Sequence, residues 1–383
     1  MNYIKANWFP IIIFIGALGI LGCNYKSLKI ADQMAGQAAK SLHKRMVRLA
    51  DKGVMVGHQD ALAYGIGWWN QKNSADMFRV SGEFPAIYGW DLGDIHLQRN
   101  LDSVAFDDMR QWMLGVHENG GINTISFHVD NPIDGNSSWD TSKIAGRLLP
   151  GGLHHKKLNH QLDLVAEFLK SLKDKSGQPV PVIFRPWHEH NGDWFWWGKG
   201  NATEEEYIAL FRHTVDYFKK QHHIHHILYA FSPDRSRMKN PSSEEEYLYG
   251  YPGDDVVDLL GIDNYKDVRA YHNDSLDQKG ISDMVKNLEM LSALAQKKGK
   301  LCAMTETGTE TINDAFWFTK RILEPIRNSN QIEGLSYVLF WRNARTNHHY
   351  LSYPGHPSAK DFKEFITDPT ILTLKDIGTN FSH

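Results

Sequence analysis

Short apolar runs rich in β-branched and aromatic residues recur along the chain, each closing on polar or glycine-bearing text. Eight stand out: 53–58 (GVMVGH), 86–91 (AIYGWD), 122–128 (INTISFH), 180–186 (VPVIFRP), 227–232 (ILYAFS), 257–263 (VDLLGID), 301–306 (LCAMTE) and 337–341 (YVLFW). Their length and continuous apolarity are those of strands buried on both faces. Between them lie stretches with apolar positions near the 3.6 period. The clearest is 204–220 (EEEYIALFRHTVDYFKK), with acids in its first turn, and 158–173 and 282–298 are similar. Eight buried strands alternating with helices predict a parallel sheet with crossovers, and eight close a (β/α)8 TIM barrel forming one catalytic domain over 23–383. An open doubly wound sheet is the alternative, but no G-x-G-x-x-G turn follows the first strand.

At or just beyond the C-terminal ends of the eight runs stand His58, Asp91, His128, Glu189, Asp234, Asp263, Glu306 and Trp341. In a barrel all of them are expected on one face, the face where this fold carries its chemistry.

The N-terminus follows neither pattern. Lys5 precedes an apolar run at 8–22 (WFPIIIFIGALGILG), shorter than the roughly 20 residues a membrane span needs and of the size of a signal-peptide core. The sequence Ile20-Leu21-Gly22-Cys23 resembles a bacterial lipobox, which makes 1–22 a lipoprotein signal peptide and Cys23 the lipidation site; a plain secretory signal is the alternative. The following NYKSLK lacks an acidic run, which favours the periplasmic side of the envelope over the cell surface. The second cysteine, Cys302, lies in an apolar run and reads as a small core residue, so no disulfide framework is expected.

With 42 basic and 45 acidic residues, a net charge of −3 gives no reason to expect nucleic acid as a partner. The 12 tryptophans change the picture more. Trp68, Trp69, Trp90, Trp139, Trp187, Trp194, Trp196, Trp197 and Trp341 sit beside Gly, Asp, His or Asn, and an aromatic face next to hydrogen-bonding groups suits a sugar ring.

Two glutamates carry the candidate chemistry. Glu189 follows the fourth strand among Arg185, His188 and three tryptophans, and Glu306 ends the seventh; by itself Glu306 reads equally well as a loop acid. Strands four and seven face one another across a barrel, where two carboxyls can flank a glycosidic bond. The acid of such a pair needs a raised pKa and the nucleophile needs hydrogen-bond donors. The histidines at 222–226, and the pairs His154–His155 and His348–His349, lack metal-ligand spacing, and His188-Glu189-His190 is not H-E-x-x-H.

The segment 185–198 (RPWHEHNGDWFWWG) closely resembles the acid/base motif of glycoside hydrolase family 26, whose best-known members are β-1,4-mannanases. Likewise 126–132 (SFHVDNP), 260–265 (LGIDNY), 305–308 (TETG) and 337–344 (YVLFWRNA) resemble that family's motifs on strands three, six, seven and eight. The resemblance implies Glu189 as acid/base and Glu306 as nucleophile of a retaining β-1,4-mannanase acting without cofactor or metal. It implies sugar binding by His128 and His188, and Tyr265 bonded to Glu306. Trp341 becomes the floor under the attacked sugar, Arg342 reaches the next sugar and Trp194 shapes the leaving-group side. Arg185 lies beneath the carboxylates and lowers the pKa of its neighbour. Asp263 and Trp139 complete the substrate-binding set. The expected partners are β-mannan or manno-oligosaccharides, with a membrane reached only through the lipid anchor, and the expected state is a monomer. A same-family β-1,3-xylanase or mixed-linkage β-glucanase stands as the alternative, then a non-catalytic glycan-binding lipoprotein and a metal-dependent deacetylase. The long segment 135–155, containing LLPGGLHH, is a candidate wall that would shorten the cleft.

Overall fold

The computed structural model describes residues 29–378. The expected signal peptide 1–22 and Cys23 lie outside the described residues. Eight parallel strands form the barrel: β1 Val54–Gln59, β2 Ile87–Asp91, β3 Ile122–Phe127, β4 Val182–Pro186, β5 Ile227–Phe231, β6 Leu259–Asn264, β7 Leu301–Thr307 and β8 Leu335–Phe340. Each pairs with its successor and β8 closes on β1, His58 opposite Phe340. All eight sequence-predicted runs are strands, to within a few residues at either end. Two additions carry no sequence signal of comparable strength: an antiparallel hairpin of Tyr64–Gly65 and Trp68–Trp69, and a two-residue strand Ile371–Leu372 beside the start of β1.

The helical layer includes α1 Gln37–Ala50, α2 Phe106–Glu118, α3 His155–Ser171, α4 Glu204–Lys220 and α5 Asp274–Lys298. α4 has the bounds its pattern predicts, because its ends are written locally: Thr203 accepts from the Glu206 amide, and the Glu206 carboxylate accepts from the Thr203 amide. α5 begins eight residues earlier than its apolar periodicity, at the side-chain cap of Asn273 onto Leu276 N. Among the described residues, no helix is long and apolar enough to cross a membrane.

Register decides which strand-end residues face the lumen. Asp91 lies opposite Ser126, and Ser126 opposite Arg185, so these three form one row across β2, β3 and β4. On β7 the row is made differently. Ile262 pairs with Met304 but Asp263 pairs with Glu306, leaving Thr305 as an extra residue; the β8 side shows the same slip between Val338 and Phe340. Cys302, two residues before Met304, faces α1 and α5. Strict alternation would send Glu306 the same way, and the bulge turns it inward.

The expectation that all eight strand-end residues open onto one face fails at His58. Its register partners are Tyr88 and Phe340, and Phe340 packs against Phe318 and Phe365 in the outer layer. His58 is fully buried there with neither ring nitrogen bonded, and burial pushes its pKa down to about 3.

Candidate active site

Beyond β4 the chain coils tightly, with Trp187 and Glu189 both at φ 55°, a left-handed conformation that non-glycine residues avoid. The Glu189 amide donates to the Ser232 carbonyl at 2.8 Å, which ties the coil to the end of β5. At Gly192 an added Cβ would lie 2.3 Å from the Trp194 ring, so only glycine lets Trp194 fold back over the loop. There its indole N–H donates to Glu189 Oε2 at 2.9 Å. Arg237 covers the other side of that indole at 4.8 Å and pairs with Asp193.

Across the lumen, Glu306 takes two donors. Arg185 Nη2 bonds Oε1, and the Tyr265 hydroxyl donates to Oε2 at 2.9 Å. Arg185 Nη1 reaches Asp263 at 2.7 Å and Ser232 Oγ at 3.1 Å, while Thr305, the bulge residue, donates to Asp263 Oδ1. Glu189, Asp263 and Glu306 each place a carboxyl oxygen within 4.8 Å of the others. A trio of that kind could chelate a cation, but the Arg185 guanidinium already bridges Asp263 and Glu306 in that space.

Two of these carboxyls have raised pKa values. Burial, followed by the nearby charges of Asp234, Asp263 and Glu306, raises Glu189 well above the ordinary glutamate range, and Arg185 offsets only part of that. Asp263 shows the same competition. Burial outweighs the lowering by Arg185 and leaves it at about 7, so the expected depression of Arg185's neighbour is present as one contribution but does not prevail.

The cleft is ≈ 640 Å³ in volume. His128, Trp139, Glu189, Trp194, Phe195, Tyr265, Glu306 and Trp341 line it, with Arg269, Glu310, Thr311 and Asn313 on the far wall. Trp139 is 50% exposed and lies parallel to the His128 ring at 5.5 Å, a fixed aromatic face open on one side. His128 and His188 are buried and meet Nε2 to Nε2 at 3.0 Å, while His128 Nδ1 lies 2.6 Å from Asp91 Oδ2. Both nitrogens of His128 are therefore committed within the protein.

Most sequence-predicted site residues converge here; three groups do not. Arg342 pairs with Asp102 at 2.8 Å and reaches toward the Tyr64 hydroxyl, which donates to Asp60, and it is not among the residues that line the cleft. Trp90, Trp187, Trp196 and Trp197 are fully buried and spend their indole N–H groups on Asn123, Thr214, Val129 and His188. They are core, not sugar platforms. Of the segment 135–155 only Trp139 lines the cleft; its short helix Ala145–Leu148 packs on α3 and α4 instead. The clustered histidines are helix-to-strand text, with His222 on Asp163 and His225 on Asp32. Those two are half-buried, while His223 is exposed and His226 is buried.

Sequence reasoning missed Asp91 as the partner of His128, Asp102 and Tyr64 as partners of Arg342, and the wall from Arg269 to Asn313. Only Asp91 carried a signal, as a strand-end acid level with Ser126.

The profile of glycosyl hydrolase family 26 matches residues 31–343. A mannan endo-1,4-beta-mannosidase of Bifidobacterium adolescentis is 30% identical over 94% of this chain, and one of Bacillus subtilis is 32% identical over 63%. The aligned region spans 37% and 63% of those two relatives' lengths. Among solved structures, a GH26 beta-mannanase from Bacteroides ovatus superposes with a TM-score of 0.82 at 38% identity, covering 90% of this chain and 98% of that one. With the family profile spanning most of the barrel and the two glutamates just beyond β4 and on β7, the chain belongs to glycosyl hydrolase family 26.

Proposed function

We propose that this chain is a retaining β-1,4-mannanase that cuts mannan, glucomannan or galactomannan internally, with Glu189 as acid/base and Glu306 as nucleophile. The observation that carries the reading is the pair itself: two carboxyls whose oxygens approach within 4.8 Å, one raised in pKa, the other held by Arg185 and Tyr265. Separations of about 5–5.5 Å belong to double displacement, whereas inversion needs roughly 6.5–9.5 Å to admit a water. In the first step Glu189 gives its proton to the glycosidic oxygen while Glu306 bonds the anomeric carbon. In the second, ionised Glu189 takes a proton from water as that water displaces Glu306. The Trp194 N–H supports the carboxylate that Glu189 becomes between the steps. Trp139, Trp194 and Trp341 supply apolar faces for successive sugars. The mannanase names of the relatives favour mannan over the β-1,3-xylan and mixed-linkage glucan of the alternative reading.

The test is a product time course on linear mannan and mannohexaose, with proton NMR of the first anomer released. A β anomer, mixed oligomers early and activity indifferent to a chelator are expected. Glu189→Gln and Glu306→Gln should each lower kcat by at least about 10³, in keeping with groups that act as a unit. An α anomer first would overturn double displacement, and an inactive wild type on every mannan would overturn the substrate. We further propose that Cys23 carries a lipid anchor holding the enzyme on the periplasmic side of the envelope.

A further inference from the structure

The buried chain Asp91–His128–His188 does nothing in the two-step scheme, yet it lies against it. Asp91, fully buried, accepts from Gly93 N at 2.6 Å, from Ser126 Oγ, from His128 N at 3.3 Å and from His128 Nδ1 at 2.6 Å. Four donors and no acceptor describe a carboxylate, and so His128 Nδ1 carries hydrogen. The two Nε2 atoms at 3.0 Å share a single proton. That proton belongs to His128, making it an imidazolium that donates to His188, or it belongs to His188, leaving His128 neutral. His188 Nδ1 is buried with no partner, and it is a donor in the first case and an acceptor in the second.

We propose that Asp91 is a positioning residue: by pairing with His128, which lines the cleft, it holds a charged imidazolium there and fixes the direction of the His128–His188 hydrogen bond, leaving His188 protonated on Nδ1. This rests on the glycosidase reading above. The argument is one of charge. A buried carboxylate is expensive without a counter-charge, and His128 is the cation in direct contact with Asp91. His188 cannot hold the charge, being buried with its own ring against His128 and near the Arg185 guanidinium. The other charged groups facing His128 are Glu306 from β7 and Asp102 from the loop after β2, which favour its protonated form, and Arg185 from β4, which opposes it. Burial is the largest single influence and lowers His128, but Asp91, with Glu306, more than offsets it and the net shift is upward. His128 lines the cleft beside Glu306, so the charge that Asp91 holds on it is felt where the chemistry takes place.

The test is long-range ¹H–¹⁵N NMR of the histidine rings in the mature protein, combined with the pH profile of kcat/KM for Asp91→Asn. Asparagine keeps the shape and can still accept from His128 Nδ1, but it carries no charge. In the wild type, His128 should show both nitrogens protonated at pH 7 and His188 a proton on Nδ1. In Asp91→Asn, His128 should lose its second proton at least one pH unit lower, and the His188 proton should move to Nε2. Its kcat/KM should fall about tenfold at pH 7.5 and recover much of that at pH 5, where His128 recharges; a merely structural loss would be uniform with pH. A neutral His128 in the wild type at pH 7 overturns the proposal even if the variant does not fold, as does a folded variant with an unchanged profile. Failure to cleave any mannan would fall on the functional reading instead, because the ring spectra do not depend on the substrate.

Discussion

At the scale of single residues, this site separates like groups by their surroundings. Glu189 and Glu306 have the same side chain, but one faces three carboxylates across a tight coil and the other takes an arginine and a tyrosine. The raised Glu189 has a consequence for stability. Its folded pKa lies above its unfolded value, so the native state is relatively favoured below the unfolded pKa and loses that advantage as pH rises through the folded one. Glu189→Gln removes the charge at every pH. Its melting temperature should match the wild type near pH 4 and exceed it at pH 8, corresponding to about 1 kcal/mol or more. Differential scanning calorimetry at the two pH values checks this, and an equal or lower melting temperature at pH 8 would count against a raised acid. The alkaline limb of kcat/KM should follow the same group, with activity lost as pH rises through its displaced pKa. In Trp194→Phe that limb should move to higher pH, because the lost indole donor had favoured the ionised form. Glu189 was legible in the sequence because it sits in text rich in hydrogen-bonding and aromatic groups, whereas Glu306 alone read equally well as a loop acid and was singled out by the resemblance of 305–308 to the family motif. The partner of His128 was not, because Asp91 and His128 are 37 residues apart and meet only through strand register.

At the scale of elements, legibility follows the range of the forces. α4 was readable to its ends because amphipathic period, acidic first turn and capping box are all local. Removing the cap by Thr203→Ala should cost about 1 kcal/mol of unfolding free energy, read as a lower urea midpoint with the slope unchanged. Activity at 25 °C should be retained, since neither Thr203 nor Glu206 lines the cleft. α5 was readable only in part; its first two turns are polar, and the Asn273 cap sets their start. On β7 the strand was readable but the facing of Glu306 was not decided locally: Glu306 sits past the bulge, where pairing to β6 and β8 sets its direction.

At the scale of the whole molecule, closure of the barrel brings β4 opposite β7 and makes a cleft from residues spread between positions 128 and 350. The same closure gives Arg342 its partners, because the loops after β1 and β2 supply Tyr64 and Asp102 to hold it. The proposed lipid anchor lies on a segment before the barrel. If Cys23 is acylated, Cys23→Ala should leave catalytic activity unchanged in detergent extracts but shift the protein from the membrane fraction to the soluble one. An unaltered membrane fraction in that variant would overturn the anchor.

The sequence by itself determined the strands, three of the helices and the identity of the two catalytic candidates, because apolar periodicity, caps and the composition around Glu189 act within a few residues. Only the tertiary structure decided which side chains share the cleft. The direction of His58, the inward turn of Glu306, the burial of four tryptophans, the capture of Arg342 by Asp102 and the Asp91–His128–His188 chain all depend on register and closure. Those are set by contacts between residues far apart in the chain, and the packing that positions them has no local signature.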